Sequence, residues 1–235
     1  MRPALKASRF GLFLALLGWV LFVVYPNPFT LTNSIHNFQH PNVDPAAVSA
    51  IARTLPNDPK VIENYVLNNV QPYSYDWQTF DVPWYFPTTK QAVAQGRGNC
   101  QGRALVLASI LKYKHIPYQL EMSFDHIWVN YAGHVSTALE NNAVVLGRQV
   151  NGHFVLQWPK NFHPWAELQA QLQQYWTPMP PLQKTLILAG ALLIPLWNVL
   201  ALLIGRLIGA PAPLPRLRLR RRRARPRVAV AGRRV

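Results

Sequence analysis

Two long apolar runs without a charged residue frame a mixed central region of the chain. The first run extends from Phe10 to Tyr25 and the second from Thr185 to Gly205. At about 1.5 Å per residue, the second run is long enough to cross a hydrocarbon core of about 30 Å, whereas the first is short for a span. The pattern predicts two transmembrane helices, at residues 10–25 and 185–205, on either side of a folded domain.

The first apolar run has a second interpretation. A basic start followed by a short apolar core is also typical of a cleaved signal peptide. No pair of small residues in the spacing of a cleavage site follows Tyr25, which favours an uncleaved anchor.

Charge is distributed unevenly between these regions. The chain has 24 Lys and Arg against 9 Asp and Glu, a formal net charge of +15. All the acidic residues lie between Asp44 and Glu167, whereas residues 1–9 and 206–235 are basic and free of acids. By the positive-inside rule, both termini are expected in the cytoplasm. The main domain is then outside it, in the periplasm if the chain is bacterial.

The basic tail at residues 206–235 contains the Arg-rich stretch Arg216–Arg227. A nucleic-acid partner is one interpretation of such a stretch. Because the tail follows a predicted span, we expect it instead to fix the topology and to contact anionic lipid headgroups. The predicted partners are therefore membrane lipid and a further membrane protein, and not nucleic acid.

The region between the spans divides into three parts. Residues 26–43 are predicted as an irregular linker, 44–160 as the main domain and 161–184 as an amphipathic juxtamembrane helix. The elements expected in the main domain are helices starting at Asp44, Asp58, Thr88 and Cys100, then strands at 117–124, 125–131, 134–140, 143–150 and 153–158, with a turn at Asn151-Gly152.

The only cysteine of the chain, Cys100, lies close to two glycines at the start of an apolar helix. Free backbone N–H groups and the positive end of the helix dipole favour a thiolate at that place. His126 follows on a run with strand character. A thiol at a helix start and an imidazole on a nearby strand are the two parts that nucleophilic acyl chemistry needs. The alternative is a cysteine that packs as a small buried hydrophobe.

The remaining candidate ligands indicate no metal site and no cofactor. With one cysteine, the chain cannot form an intramolecular disulfide. The other histidines, His134 among them, stand alone and lack the spacing of metal ligands.

Four runs of the sequence, taken in order, resemble the transglutaminase-like superfamily. They are WYFPTT at 84–89, GRGNCQGRA at 96–104, Ile116-Pro117 and HIWVNY at 126–131. The superfamily shows a Trp and Pro-Thr lead-in, a Gly-Asp-Cys box and a His-x-Trp-Val box, and the similarity covers about residues 45–160. It implies an α+β fold with a papain-like/transglutaminase-like core. In that core the nucleophile starts a central helix packed on an antiparallel sheet, flanked here by two transmembrane helices.

Carried over by position, the resemblance implies a triad with Cys100 as the nucleophile and His126 as its base. The third member has no clean match. Glu140 fits the acid position best, while Asn141 would resemble the orienting amide of papain. The residues expected to bind the oxyanion or the substrate are Trp84, Tyr85 and Trp128.

The activity expected from this resemblance is attack of a thiolate on an amide or peptide carbonyl to give a thioester. Hydrolysis would make the protein a protease or amidase, and transfer to an amine would make it an acyltransferase; the substrate is a protein or peptide. The alternative is a catalytically inactive domain that acts as a binding or scaffolding module in a membrane complex. Asn99 stands where the family commonly has an acid, and we expect this to change local hydrogen bonding rather than the chemistry.

Overall fold

The computed structural model describes residues 9–123, 126–137, 140, 145–150, 153–156 and 164–207. Its helices are Arg9–Val24 (α1), Pro28–Gln39 (α2), Ser49–Thr54 (α3), Pro59–Tyr65 (α4), Asp76–Thr79 (α5), Thr89–Gln95 (α6), Cys100–Tyr113 (α7), Pro164–Gln171 (α8) and Pro181–Leu207 (α9). A 3-10 turn, Ala46–Val48, precedes α3, and π-helical turns follow α4 at Val66–Val70 and α8 at Leu172–Trp176. The strands are Tyr118–Met122 (β1), Ile127–Tyr131 (β2), Gly147–Val150 (β3) and His153–Leu156 (β4).

Helix α7 is the centre of the main domain. Apolar residues lie on every side of it, a pattern typical of a helix that is buried all round. It packs against α3, α4 and α6 and against strands β1 and β2. Leu105, Ile110 and Leu111 are fully buried there, and each such side chain removed from water contributes about 1.5–3 kcal/mol. The first residue of α7 is therefore held on a well-packed support.

The four strands form one antiparallel sheet in the order β2-β1-β3-β4. Leu120 of β1 pairs with Val129 of β2, and both side chains belong to the core around α7. Between β1 and β3, Glu121 stands opposite Arg148, and their side chains form an ion pair of 2.7 Å. The described chain is thus a mixed α+β fold with a small antiparallel sheet, which confirms the predicted class at this level.

Two predicted segments differ from the structure. The linker at 26–43, predicted as irregular, contains helix α2. Asn27 caps the start of this helix, where its side-chain oxygen accepts the backbone N–H of Phe29 at 3.0 Å. Residues 134–137, predicted as the start of a strand, are not in a strand. The N–H of His134 instead donates to the carbonyl of Tyr131 and closes a turn. The predicted turn at 151–152 and the tail from residue 208 lie outside the described residues.

Helices α1 and α9 pack against each other. The indole N–H of Trp19 donates to the carbonyl of Leu186 at 2.8 Å. Gly190 makes room for that indole, since a Cβ there would come within 2.1 Å of the Trp19 ring. Within the described residues, no single helix has both the length and the apolar composition to cross a bilayer. Two bent pairs pass that test together: Phe10–Val24 with Pro28–Gln39, bent by 85°, and Leu168–Trp176 with Pro181–Trp197, bent by 117°.

A small apolar cluster joins this helix pair to the main domain. Val24 at the end of α1 and Met179 just before α9 pack with Trp77. The hydroxyl of Tyr25 donates to the carbonyl of Trp84 at 2.9 Å. The C-terminal end of α1 and the N-terminal end of α9 therefore lie beside the segment that contains Trp84.

Candidate active site

Cys100 is the first residue of α7, as the sequence predicts. Asn99 is the N-cap, and its side-chain oxygen accepts the backbone N–H of Gln101 at 3.2 Å. Upstream, the N–H of Gly98 donates to the carbonyl of Pro72 at 3.1 Å. Main-chain hydrogen bonds and a side-chain cap thus fix the entry to the helix, and they place the thiol among its free N–H groups.

The glycines on either side of Cys100 accommodate a buried glutamine. Gln71 is fully buried, and its side-chain amide donates to the carbonyl of Ala92 at 2.6 Å. A Cβ at Gly98 would lie 2.7 Å from Gln71 Oε1, and one at Gly102 would lie 3.0 Å from the same atom. Packing against Gln71 therefore explains glycine at both positions.

His126 lies in the turn between β1 and β2, directly before β2. The N–H of Ser123 donates to the carbonyl of His126 at 2.8 Å, and the N–H of His126 donates to Ser123 Oγ at 3.1 Å. The imidazole stacks on Trp128, with ring centroids 5.9 Å apart and 12° between the planes. Residues two apart in an extended chain face the same way. The buried ring of Trp128 therefore packs against one face of the His126 imidazole.

The structure brings Cys100, His126 and Glu140 together. Cys100 and His126 lie in the walls of the same two cavities, and His126 Nε2 lies 3.1 Å from Glu140 Oε1. The other oxygen of Glu140 accepts the backbone N–H of Thr137 at 3.1 Å. Asn141, the other candidate for the third position, lies outside the described residues. Within the described chain, the orienting partner of His126 is therefore a carboxylate.

The surroundings of His126 and Glu140 favour the charged form of both groups. Burial alone lowers the pKa of His126, but the neighbouring Cys100 and Glu140 outweigh burial and raise that pKa to about 9. Burial raises the pKa of Glu140, but hydrogen bonds from His126 and Thr137 outweigh it and lower that pKa to about 2. The imidazolium and the carboxylate are thus an ion pair at neutral pH.

A second histidine, His134, lies next to Glu140 and next to a further carboxylate, Glu63. Its Nε2 lies 4.0 Å from Glu140 Oε2 and 3.7 Å from Glu63 Oε1, and its side chain is only 3% exposed. Glu63 also accepts a hydrogen bond of 2.6 Å from the hydroxyl of Tyr131. The sequence interpretation of His134 as isolated is wrong. Glu63 is far away along the chain, so no local pattern could have indicated the contact.

Two cavities meet at Cys100 and His126. The larger has a volume of about 320 Å³, and Trp128 lies in its wall. The smaller has a volume of about 70 Å³, and Trp84 lies in its wall. Trp84 and Trp128 therefore lie beside Cys100 and His126, and their predicted role in binding the oxyanion or the substrate stays a prediction.

Tyr85 lies outside the walls of both cavities. Its backbone N–H donates to Asp76 Oδ2 at 2.9 Å, and its hydroxyl accepts from the amide of Gln91 at 3.1 Å. Because a buried carboxylate accepts the backbone N–H of Tyr85, that N–H is not available to an oxyanion, and a role of Tyr85 at the substrate stays a prediction.

Asp76 is a buried carboxyl group that the sequence analysis did not single out. It is 4% exposed, and its Oδ2 accepts the backbone N–H of Tyr85. Burial raises the pKa of Asp76 to about 7, although the neighbouring Tyr85 N–H and Asn99 side chain lower it. Asp76 is therefore a buried carboxyl group next to the cap residue of α7.

The turn that follows α8 covers part of the site. Gln174 lies in the walls of both cavities, and Tyr175 lies in the wall of the smaller one. The indole N–H of Trp77 donates to the carbonyl of Tyr175 at 2.9 Å and ties this turn to the main domain. The segment predicted as a juxtamembrane helix thus also forms a wall of the site, a role that its amphipathic pattern did not indicate.

Among the residues that the structure describes, no three His, Cys, Asp or Glu side chains are grouped so that they could hold a metal ion. Comparison of the chain with protein-family models, with curated proteins and with solved structures finds no match. Its function is therefore inferred from the geometry of the site.

Proposed function

We propose that the protein is a thiol enzyme of the transglutaminase-like type, in which Cys100 attacks an amide or peptide carbonyl. The observation that carries the proposal is the placement of Cys100 and His126 together in the walls of two cavities, with Glu140 hydrogen-bonded to His126 at 3.1 Å. A nucleophile, a base and an orienting acid within hydrogen-bond reach are the arrangement of nucleophilic catalysis. The position of Cys100 at the start of a helix packed on an antiparallel sheet also supports the family resemblance.

The first chemical step forms a thioester. The thiolate of Cys100 attacks the carbonyl carbon and a tetrahedral oxyanion results. The imidazolium of His126 then gives its proton to the amide nitrogen, the C–N bond breaks and an amine leaves. Glu140 stabilises the imidazolium before this step and holds the ring in place through Nε2.

The second step releases the acyl group. His126, now neutral, takes a proton from water, and the hydroxide equivalent attacks the thioester carbonyl. The C–S bond breaks, a carboxylic acid leaves and the thiolate–imidazolium pair is restored. An amine in place of water would give transamidation. We favour hydrolysis because water is always present.

The oxyanion of both steps needs hydrogen-bond donors. The backbone N–H of Cys100 is one, since the first N–H groups of a helix have no partner within the helix. Trp84, in the wall of the smaller cavity, is the better of the two residues suggested by the sequence for the second donor. Tyr85 is not proposed for this role because Asp76 accepts its N–H.

We further propose that α1 and α9 anchor the enzyme in a membrane, with both termini in the cytoplasm and the main domain outside it. The support is the apolar surface of the pair: Phe10, Leu192 and Trp197 are each about 70% exposed, at 68%, 72% and 71%. Apolar surface of this extent needs a partner, and lipid suits two neighbouring helices that are apolar along their length. Reporters that work on one side of a membrane, fused to each terminus, test the topology. Opposite signals from the two ends would contradict it.

Alkylation with iodoacetamide tests the thiol chemistry of the full-length protein. A Cys100 thiolate paired with His126 should react at neutral pH much faster than an ordinary cysteine, and unfolding the protein should slow the reaction. Cys100→Ser is the control that shows where the label goes. A native Cys100 that reacts no faster than the unfolded chain would contradict the enzyme proposal and favour the inactive binding module.

A further inference from the structure

The larger cavity beside Cys100 combines an apolar wall with a guanidinium group. Leu67, Leu107 and Val129 line the cavity, and so does Arg103, three residues after Cys100 on α7. Residues three apart on a helix are neighbours, with their Cβ atoms about 5–6 Å apart. Both side chains lie in the wall of this cavity, so a ligand that fills it can contact Arg103 and Cys100 together.

The side chain of Arg103 is held in place by its surroundings. Its Nε donates to the carbonyl of Gln71 at 2.9 Å, and one terminal nitrogen donates to the carbonyl of Leu67 at 3.4 Å. The guanidinium carbon lies 5.2 Å from the centre of the Tyr73 ring. A guanidinium has five N–H donors in a fixed fork, so N–H groups remain for a ligand after these two contacts.

The charge of Arg103 has no carboxylate partner in the described part of the chain, where none lies within 4.0 Å of it. The two carboxylates in the wall of the same cavity are already engaged. Glu140 pairs with His126, and Glu63 accepts from Tyr131 and lies 3.7 Å from His134. Burial lowers the pKa of Arg103, although Tyr73 and Cys100 raise it, so its charge is incompletely hydrated. A half-buried cation without a carboxylate partner gains from an anionic ligand.

We infer that Arg103 binds a carboxylate of the substrate, so that the enzyme acts on acidic acyl donors rather than on neutral ones. This inference rests on the proposed thiol chemistry of Cys100. The carboxylate has two sources in a peptide, the side chain of an Asp or Glu residue and the free C-terminus. The apolar wall of the cavity suits the part of the substrate next to it.

Two alkylating reagents that differ by one charge test the inference without a known substrate. Iodoacetate carries a carboxylate and iodoacetamide does not, so we consider the ratio of their rates at Cys100. Arg103→Gln should lower this ratio about tenfold at low salt, because the guanidinium attracts only iodoacetate. Arg103→Lys should keep most of it. Arg97→Gln is the matched control, since exposed Arg97 lies three residues before Cys100 and bonds the carbonyl of Gln78.

The two proposals fail in different ways. A wild-type Cys100 that is slow with both reagents contradicts the thiol chemistry. A fast Cys100 whose rate ratio is the same in wild type, Arg103→Gln and Arg97→Gln overturns the inference about Arg103. The iodoacetamide rate of Arg103→Gln shows whether that variant keeps its site, and the protection of wild-type Cys100 by peptides, described next, decides the question if it does not.

Protection of Cys100 then separates the two sources of the carboxylate. Peptides of one length compete with iodoacetamide: one with a Glu side chain and an amidated end, one neutral with a free C-terminus, and one neutral throughout. Better protection by the first assigns a side-chain carboxylate, and better protection by the second assigns a terminal one. Equal protection by all three in wild type overturns the assignment of acidic substrates.

Discussion

The nucleophile half of the site, around Cys100, and the base half, around His126 and Glu140, are held by different interactions. Behind Cys100, main-chain hydrogen bonds, a buried Gln71 and two glycines fix the start of α7. Around His126, the contacts are side-chain hydrogen bonds and opposite charges, on a turn and on a residue outside the strands. Steric fit dominates in the first half, and electrostatics dominates in the second.

This difference has a consequence for mutations. In the nucleophile half, an added methyl group must displace buried atoms, so the cost appears in the free energy of unfolding. In the base half, a lost charge changes which groups hold protons, so the cost appears in the pH dependence of the reaction. The four substitutions that follow separate these two costs.

The largest effect is expected from Cys100→Ala. Release of p-nitrophenol from p-nitrophenyl acetate, an activated ester that acylates a reactive thiol without help from Arg103, should fall to the rate in buffer, because the thiol is the only one in the chain. The free energy of unfolding should change by only about 1 kcal/mol, the centre of the range for point changes. Turnover that survives in this variant would show that another residue carries the chemistry.

The next largest effect is expected from Glu140→Gln. The rate of acyl transfer should fall by on the order of a hundredfold, and the pKa of His126 should drop from about 9 towards its ordinary value of 6.5. NMR titration of the imidazole measures the second quantity. Asn141→Ala is the matched control and should change both little. The reverse ranking of the two variants would assign the orienting role to Asn141.

Gly98→Ala should affect stability more than chemistry. The added Cβ would lie 2.7 Å from Gln71 Oε1, so the glutamine must move and lose its hydrogen bond to Ala92. We expect a loss of about 1–3 kcal/mol in urea unfolding. Gln71→Ala in the same chain should recover part of that loss. If the double variant loses the full sum of the two single losses, the contact is not the cause.

The effect of Asp76→Asn is expected only in the pH dependence of stability. The pKa of Asp76 is raised from 3.8 to about 7, so between these values the folded state binds more protons than the unfolded state. Wild-type stability should therefore fall as pH rises from 3.8 to about 7, and the variant should lack this fall. Urea unfolding across that window measures it. A constant difference between the two proteins would mean that Asp76 does not titrate there.

The local patterns of the sequence determined much of the nucleophile half. Cys100 at the start of α7 and the apolar character of that helix follow from neighbours within a few residues along the chain. Such features depend on backbone propensity and on periodicity, both of which can be read from a short window.

Only the tertiary structure decided the contacts between distant segments. Glu140 comes from a segment predicted as a strand, and its hydrogen bond to His126 depends on where that segment folds back. His134 next to Glu63, and Asp76 behind Asn99, join residues that no sequence period relates. How deeply these side chains are buried, and which charges act on them, depends on many neighbouring residues at once. The sequence therefore determined which groups are available for chemistry, and the fold decided which of them act together.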